Sequence, residues 1–301
     1  MTDTSTYHCP YCRLTSVLTG LSCPNCGAPV DIAEAISDSG WIELPSIRDM
    51  ARIQFGHSHA QISGAYVPVV EMELDAADSV YFSHHVLLWC DTQVQLDNMP
   101  MAGAWNRTLA GMPLVMMVAT GPGRIAFSDD HPGETIAVPL APGQAVDVRE
   151  HRFLTATNNV KYDWFNSGVW YWARNGNERT QHFPIGRFLD RFYAYDNGLL
   201  FLHAPGNVFI RELAQGQTIL VHPSALLFKD PYVTMQLHFE YPAGYSPMNL
   251  GALFGTPSAP IIPWLRLWGP GRVAVQSVFT DDHHNLYRTT SSSPATEWHW
   301  A

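Results

Sequence analysis

One stretch of this chain is written three times, and that repetition constrains the fold more than any other feature. The copies are LDAADSVYFSHHVLLWCDTQVQL (Leu74–Leu96), LAPGQAVDVREHRFLTATNNVKY (Leu140–Tyr162) and LAQGQTILVHPSALLFKDPYVTM (Leu213–Met235), and they align without a gap. Leu74, Leu140 and Leu213 open them. Val80/Phe82, Val146/Val148 and Ile219/Val221 take alternate positions, Leu87–Leu88, Phe153–Leu154 and Leu226–Leu227 make an apolar pair, and Val94/Leu96, Val160/Tyr162 and Val233/Met235 close each copy. Period-two alternation is the strand signal, because successive side chains point to opposite faces of a sheet. Gly143 and Gly216 sit where a turn needs positive φ, whereas the first copy has Ala77 there.

A second motif follows each copy: GPGRIAF (Gly121–Phe127), APGNVFI (Ala204–Ile210) and GPGRVAV (Gly269–Val275). Each reads as a tight turn entering a strand. Three such units, each burying its apolar face against the others, predict an all-β fold with pseudo-threefold symmetry. Three units can close on one another within one chain, so a monomer or a low-order oligomer is expected.

Composition agrees with that class. Of 301 residues 46% are hydrophobic and only 15% charged, with 22 Gly and 22 Pro, as in a β-rich protein with many turns. The net charge is −10 and the 17 Lys and Arg form no long basic run, which argues against nucleic acid as a partner. The longest apolar runs, such as Met112–Ala119, are too short to span a bilayer. The N-terminus, MTDTSTYHCPYC, lacks a basic region followed by an apolar one, so a cytoplasmic protein is expected.

Residues 1–27 read as a zinc ribbon. Cys9 and Cys12 form one CxxC pair, and Cys23 and Cys26 form a second ten residues later. Four thiolates on two knuckles suit tetrahedral Zn²⁺, with iron, redox CxxC pairs and disulfides as alternatives. A closed four-Cys site has no open position for substrate, so the expected cofactor is structural zinc. Residues 28–47 read as a linker, 48–279 as the three-repeat β-domain and 280–301 as a flexible tail.

Other chemistry is thin. His57 and His59 form an HxH pair with no carboxylate before Glu71, so the cupin metal pattern is absent. His84 and His85 are adjacent and on a strand would face opposite ways. Cys90 has no recognisable base partner. Two inserts are rich in apolar and aromatic residues: 97–118 with Trp105, and 163–195 with Trp164, Trp170 and Trp172. These four tryptophans are the candidate partner or ligand surface, with ordinary packing as the other reading. Asn175-Gly176 marks a hairpin inside the second insert.

The phrases WIELPSIRDMA (Trp41–Ala51), VYFSHHVLLW (Val80–Trp89), GPGRIAFSDD (Gly121–Asp130) and WLRLWGPGRVAVQS (Trp264–Ser277) resemble the altered-inheritance-of-mitochondria family over about residues 41–279. The resemblance implies a fold similar to the tryptophan RNA-binding attenuation protein: a β-prism of three short double-stranded β-helix-like repeats, here behind a zinc ribbon. It carries no catalytic residues, and that fold licenses neither RNA nor tryptophan binding. The expected function is a non-enzymatic scaffold or protein-interaction module with an unidentified protein partner and with peripheral membrane contact left open. The alternative is a lipid or carbohydrate binder that uses the aromatic insert.

Overall fold

Alternating apolar residues, frequent turn glycines and β-branched side chains leave little room for helix, and the described residues are mostly strand. The structure is a computed structural model. It describes residues 6–8, 15–17, 42–43, 52–99, 116–175, 178–241, 262–279, 288–292 and 296–300.

Short N-terminal strands β1 (Thr6–His8), β2 (Thr15–Val17) and β3 (Ile42–Glu43) precede a hairpin of β4 (Arg52–Phe55) and β5 (Ser58–Ser63). The first copy and its motif supply β6 (Val69–Leu74), β7 (Ser79–Ser83), β8 (Leu87–Cys90), β9 (Gln95–Asn98), β10 (Met116–Thr120) and β11 (Gly123–Ser128). The second supplies β12 (Gly133–Leu140), β13 (Ala145–Arg149), β14 (Phe153–Thr157) and β15 (Val160–Asn166). After the insert hairpin β16 (Tyr171–Asn175) and β17 (Glu178–His182) come β18 (Phe188–Ala194) and β19 (Gly198–Pro205). The third supplies β20 (Val208–Leu213), β21 (Thr218–Val221), β22 (Leu226–Lys229), β23 (Thr234–Tyr241), β24 (Ile262–Trp268) and β25 (Gly271–Gln276). β26 (Arg288–Ser292) and β27 (Thr296–Trp300) follow.

One pairing scheme recurs. The leucine opening each copy faces a glycine: Leu74↔Gly123, Leu140↔Gly198 and Leu213↔Gly271. A Cβ on these glycines would lie 2.8 Å from Val94, 2.5 Å from Val160 and 3.0 Å from Val233, the valines of one column of the repeat. The next residue's N–H is capped alike each time: Arg124 by Asp91 at 2.9 Å, Leu199 by Thr157 at 3.0 Å and Arg272 by Asp230 at 2.8 Å. The register also slips once per copy, leaving Leu88, Leu154 and Leu227 as bulge residues.

These pairings correct the second motif. Gly198, and not the Ala204–Ile210 stretch, is the counterpart of Gly123 and Gly271. Gly206, at φ +72°, instead lies in the turn that joins β19 to β20. A tight turn followed by alternation looks the same whether it lies within a unit or between two units.

Four sheets carry the core. Sheet I runs β4-β5-β6-β11-β8, sheet II β12-β19-β14-β7-β10-β9, sheet III β15-β18-β13-β22-β25-β20-β3 and sheet IV β21-β24-β23-β27. Sheets I and II share a core that includes Met72, Phe127, Phe82 and Phe201. Sheets II and III share one with Tyr81, Leu200, Phe192 and Phe228. Sheets III and IV share one with Leu213, Val273, Leu237 and Phe239. Sheets II and III are thus buried on both faces: Val80 and Phe82 enter one core and Tyr81 the next. That explains strands such as Phe153–Thr157, buried at every position despite mixed polarity.

Two stretches expected outside the β-domain join it. β3, within the 28–47 linker, pairs with β20, and the 280–301 segment supplies β26, paired with β16, and β27, parallel to β23.

Candidate interaction surface

The units are joined by two seams of one design. At the first, β14 of the second unit pairs antiparallel with β7 of the first: Thr155↔Phe82 and Ala156↔Tyr81. At the second, β22 of the third pairs antiparallel with β13 of the second: Phe228↔Val148 and Lys229↔Asp147. By the same scheme β8 of the first unit is the counterpart of β14 and β22, and β21 of the third is the counterpart of β7 and β13. β8 and β21 do not pair among the described residues; each is bonded on one side only and ends its sheet. Closure of three units on themselves, expected from the repeat, is not made among the described residues.

The consequence appears residue by residue. Leu154 and Leu227 are 0% exposed at the two seams, whereas Leu88 in the same column is 55% exposed. Thr155 and Phe228 are 0% exposed and Trp89 is 40%. Tyr81 and Asp147 are 2% and 1% exposed and Leu220 is 45%.

Chemistry separates these two edges from the rest. Among the described residues, sheets I to IV have eight terminal strands. Six carry a charge or a proline: Arg52 in β4, Asp97 in β9, Glu134 and Pro139 in β12, Lys161 and Asp163 in β15, Glu43 in β3 and Glu297 in β27. Such residues discourage another strand from adding to an edge. β8 reads Leu-Leu-Trp-Cys and β21 reads Thr-Ile-Leu-Val, with no charge and no proline.

Three of the four tryptophans chosen from sequence, Trp164, Trp170 and Trp172, are half-buried. Trp164 packs edge-on to Phe188 at 5.0 Å, and Trp172 lies beneath Arg179 at 4.5 Å. Trp170 is half-buried beside them in sequence, and Trp105 lies outside the described residues. Cys9, Cys12, Cys23 and Cys26 lie outside them too, although the flanking β1–β2 hairpin is present, with His8↔Thr15 next to the first pair. A cleft of ≈ 650 Å³ opens among Asp78, Gln144, Asn158, Asn159, Asn197 and Arg272. Its wall mixes these amides and charges with apolar side chains such as Phe55, Leu140 and Leu199.

The sequence singled out His84 and His85 but neither the His131 group nor His203. His131 Nδ1 lies 2.7 Å from Asp129 and 2.6 Å from Asp130, and these three are the group among the described residues able to hold a cation. The Asp129 hydrogen bond, with the charge of Asp130, raises the His131 pKa. His84 and His85 lie in a 3₁₀ turn, not on a strand, and both are exposed. His203 is fully buried; Nδ1 is 3.4 Å from Thr135 Oγ1 and Nε2 has no partner among the described residues. Burial pushes its pKa below the usual value, opposed by Asp129 and reinforced by Arg152. A proton therefore binds the unfolded chain more readily than the folded one. Stability is full above about pH 6.5, falls in acid by up to about 1.4 kcal/mol per pH unit, and levels off below the folded pKa. Urea unfolding at neutral and mildly acidic pH is expected to show this loss, with a flatter profile in His203→Gln. An equal slope in both proteins would rule His203 out as its source.

A family model described as Mitochondrial biogenesis AIM24 matches residues 60–278. The chain belongs to the AIM24 family. The match spans β6 to β25, and so all three units and both seams of this AIM24 chain. No curated protein matches it. Among solved structures, the crystal structure of protein SPYM3_0169 from Streptococcus pyogenes is similar, at 16% identity over 74% of this chain and 94% of that one, with a TM-score of 0.51. At that identity the likeness speaks for the all-β fold of the AIM24 chain alone. No helix among the described residues is long and apolar enough to cross a membrane.

Which strands end a sheet is decided by the fold: β7 and β14 occupy the same columns as β21 and β8 and are equally free of charge, yet both lie inside a sheet.

Proposed function

We propose that this protein is a non-enzymatic scaffold, a cytoplasmic interaction module that holds protein partners by adding their strands to β8 and β21. The observation that carries this reading is the pair of uncharged, proline-free terminal strands exposing Leu88, Trp89 and Leu220. Backbone hydrogen bonds at such an edge supply affinity, and alternate side chains supply selectivity. In this reading the three six-strand units form the pseudo-threefold prism of short double-stranded β-helix-like repeats, open at its third seam. The recurring leucine–glycine register supports that arrangement. The N-terminal segment is a structural zinc ribbon on Cys9, Cys12, Cys23 and Cys26, supported by the donor set itself: four soft thiolates at two CxxC spacings.

A pull-down from native lysate with three baits tests this. The intact protein and Cys9→Ser are expected to capture the same protein, while Leu88→Lys/Leu220→Lys loses it. Cys9→Ser also releases its zinc and keeps its β-sheet circular dichroism. A partner retained by the edge variant would move recognition elsewhere. A saturable rise in Tm with one class of lipid or carbohydrate would replace the scaffold with a ligand-binding domain.

A further inference from the structure

We infer that the third seam is made between molecules: β8 of one chain pairs antiparallel with β21 of a second copy, building a head-to-tail assembly. The inference rests on the scaffold reading above and names the occupant of its two edges.

The chain itself supplies the template. Its two internal seams join a strand of the β8 type to one of the β21 type, both antiparallel and in the same register. Thr155↔Phe82 and Phe228↔Val148 place Trp89 opposite Val221 at the third seam. Ala156↔Tyr81 and Lys229↔Asp147 place Cys90 opposite Leu220. Each molecule therefore carries both halves of an interface it already builds twice within itself, and leaves one half at each end.

The side chains fit that occupant. At the second seam this column holds an ion pair, Lys229 to Asp147 at 2.9 Å, so a strand with an apolar residue there would strand a charge. At the open edges the column holds Cys90 and Leu220, matched to each other and not to Lys229 or Asp147. Bulge residues add a second match. Leu154 reaches the core of the first unit, among Val80, Phe82 and Phe127, and Leu227 reaches that of the second, among Val146 and Val148. Leu88, by the same displacement, enters the core of the third unit of the neighbouring molecule, beside Val221 and Leu265. Each copy uses one edge to give and the other to receive, so the contact is heterologous. It closes a ring if the rotation per chain allows and otherwise runs on as an open chain.

The register makes a sharp test. Cys90 is a free thiol, so Leu220→Cys places a second thiol opposite it across the proposed interface. Antiparallel partners lie within the Cα separation that a disulfide spans. Mild oxidation of full-length Leu220→Cys is expected to give a ladder of dimers and higher species on non-reducing gels. The ladder should vanish in Cys90→Ser/Leu220→Cys, which controls for the four N-terminal cysteines. In parallel, light scattering should give wild-type particles a mass that is a multiple of 33.6 kDa. Leu88→Lys/Leu220→Lys should fall to 33.6 kDa, with an unchanged circular dichroism spectrum showing that it still folds.

If oxidised Leu220→Cys joins its new thiol to Cys90 only within one chain, the inference is overturned, since the seam would then close on itself. A wild-type mass of 33.6 kDa at every concentration, or cross-linking that survives loss of Cys90, would overturn it too. If the wild type is a single chain yet the edge variant loses a captured protein, self-assembly fails and the scaffold reading stands. If the edge variant changes neither mass nor capture, both fail.

Discussion

Asp147→Asn is expected to destabilise the protein by about 3–5 kcal/mol. Asp147 sits at the second seam with a fully buried carboxylate. It accepts hydrogen bonds from Lys229 Nζ at 2.9 Å and from Arg191 Nε and Nη2 at 2.6 and 3.0 Å. Asparagine keeps the volume and removes the charge, so the loss comes from electrostatics and not from a cavity. The damage falls on Lys229, whose side chain is only 8% exposed and would be left charged in an apolar seam. Arg191 is 39% exposed and can turn to water, so Arg191→Ala is expected to cost much less, on the order of 1 kcal/mol. The first seam shows that the column tolerates neutral residues, since Tyr81 and Ala156 stand there. Accordingly Asp147→Leu/Lys229→Met is expected to recover most of the loss. Urea unfolding followed by circular dichroism checks all three variants. An Asp147→Asn cost below about 1 kcal/mol would mean that Lys229 finds water or another partner.

Phe82→Ala is expected to cost about 3–5 kcal/mol, including the loss of an aromatic pair worth about 0.5–1.5. Phe82 is fully buried on β7, between Met117 and Thr155 across the strands, and its ring centroid lies 4.9 Å from that of Phe127 in sheet I. Its column holds Val148 and Val221 in the other units, which makes Phe82→Val an informative second variant. The column facing it changes in step: Phe127, Leu202 and Val275 pair with equivalent positions of β8, β14 and β22. The first unit thus combines two large rings, the second Val148 with Leu202, and the third two valines. Writing a sister residue into the first unit removes volume that Phe127 cannot fill, so Phe82→Val is also expected to destabilise, though less than alanine. A neutral Phe82→Val, read from the same urea midpoint, would mean that the core collapses around the gap.

Both cases show how far columns can be read. Apolar period assigned Val80 and Phe82 to one face, because alternation is local and any half-buried strand displays it. It could not say that Asp147, one residue from Val146 and Val148, would be enclosed as well. Sheets II and III are covered on both faces, and a residue such as Asp147 or Thr155 is buried by a neighbouring sheet that its own stretch does not mention. His203 is a parallel case: it is enclosed within its sheet, and the charges of Asp129 and Arg152 reach it only in the fold.

By itself the sequence determined that the chain is all-β, where the copies begin, and which positions alternate as apolar. Those are local consequences of side-chain alternation, whereas the glycine that stands beside Val160 was fixed only by the pairing of strands. Tertiary structure alone decided which turn closes which unit and which strand lies beside which. Leu88, Leu154 and Leu227 are one residue in one column of the repeat, and nothing local tells them apart. Two are sealed inside seams and the third is 55% exposed, because hydrogen bonding between strand edges depends on whether a β7-type strand of another unit lies alongside, and among the described residues none lies beside β8.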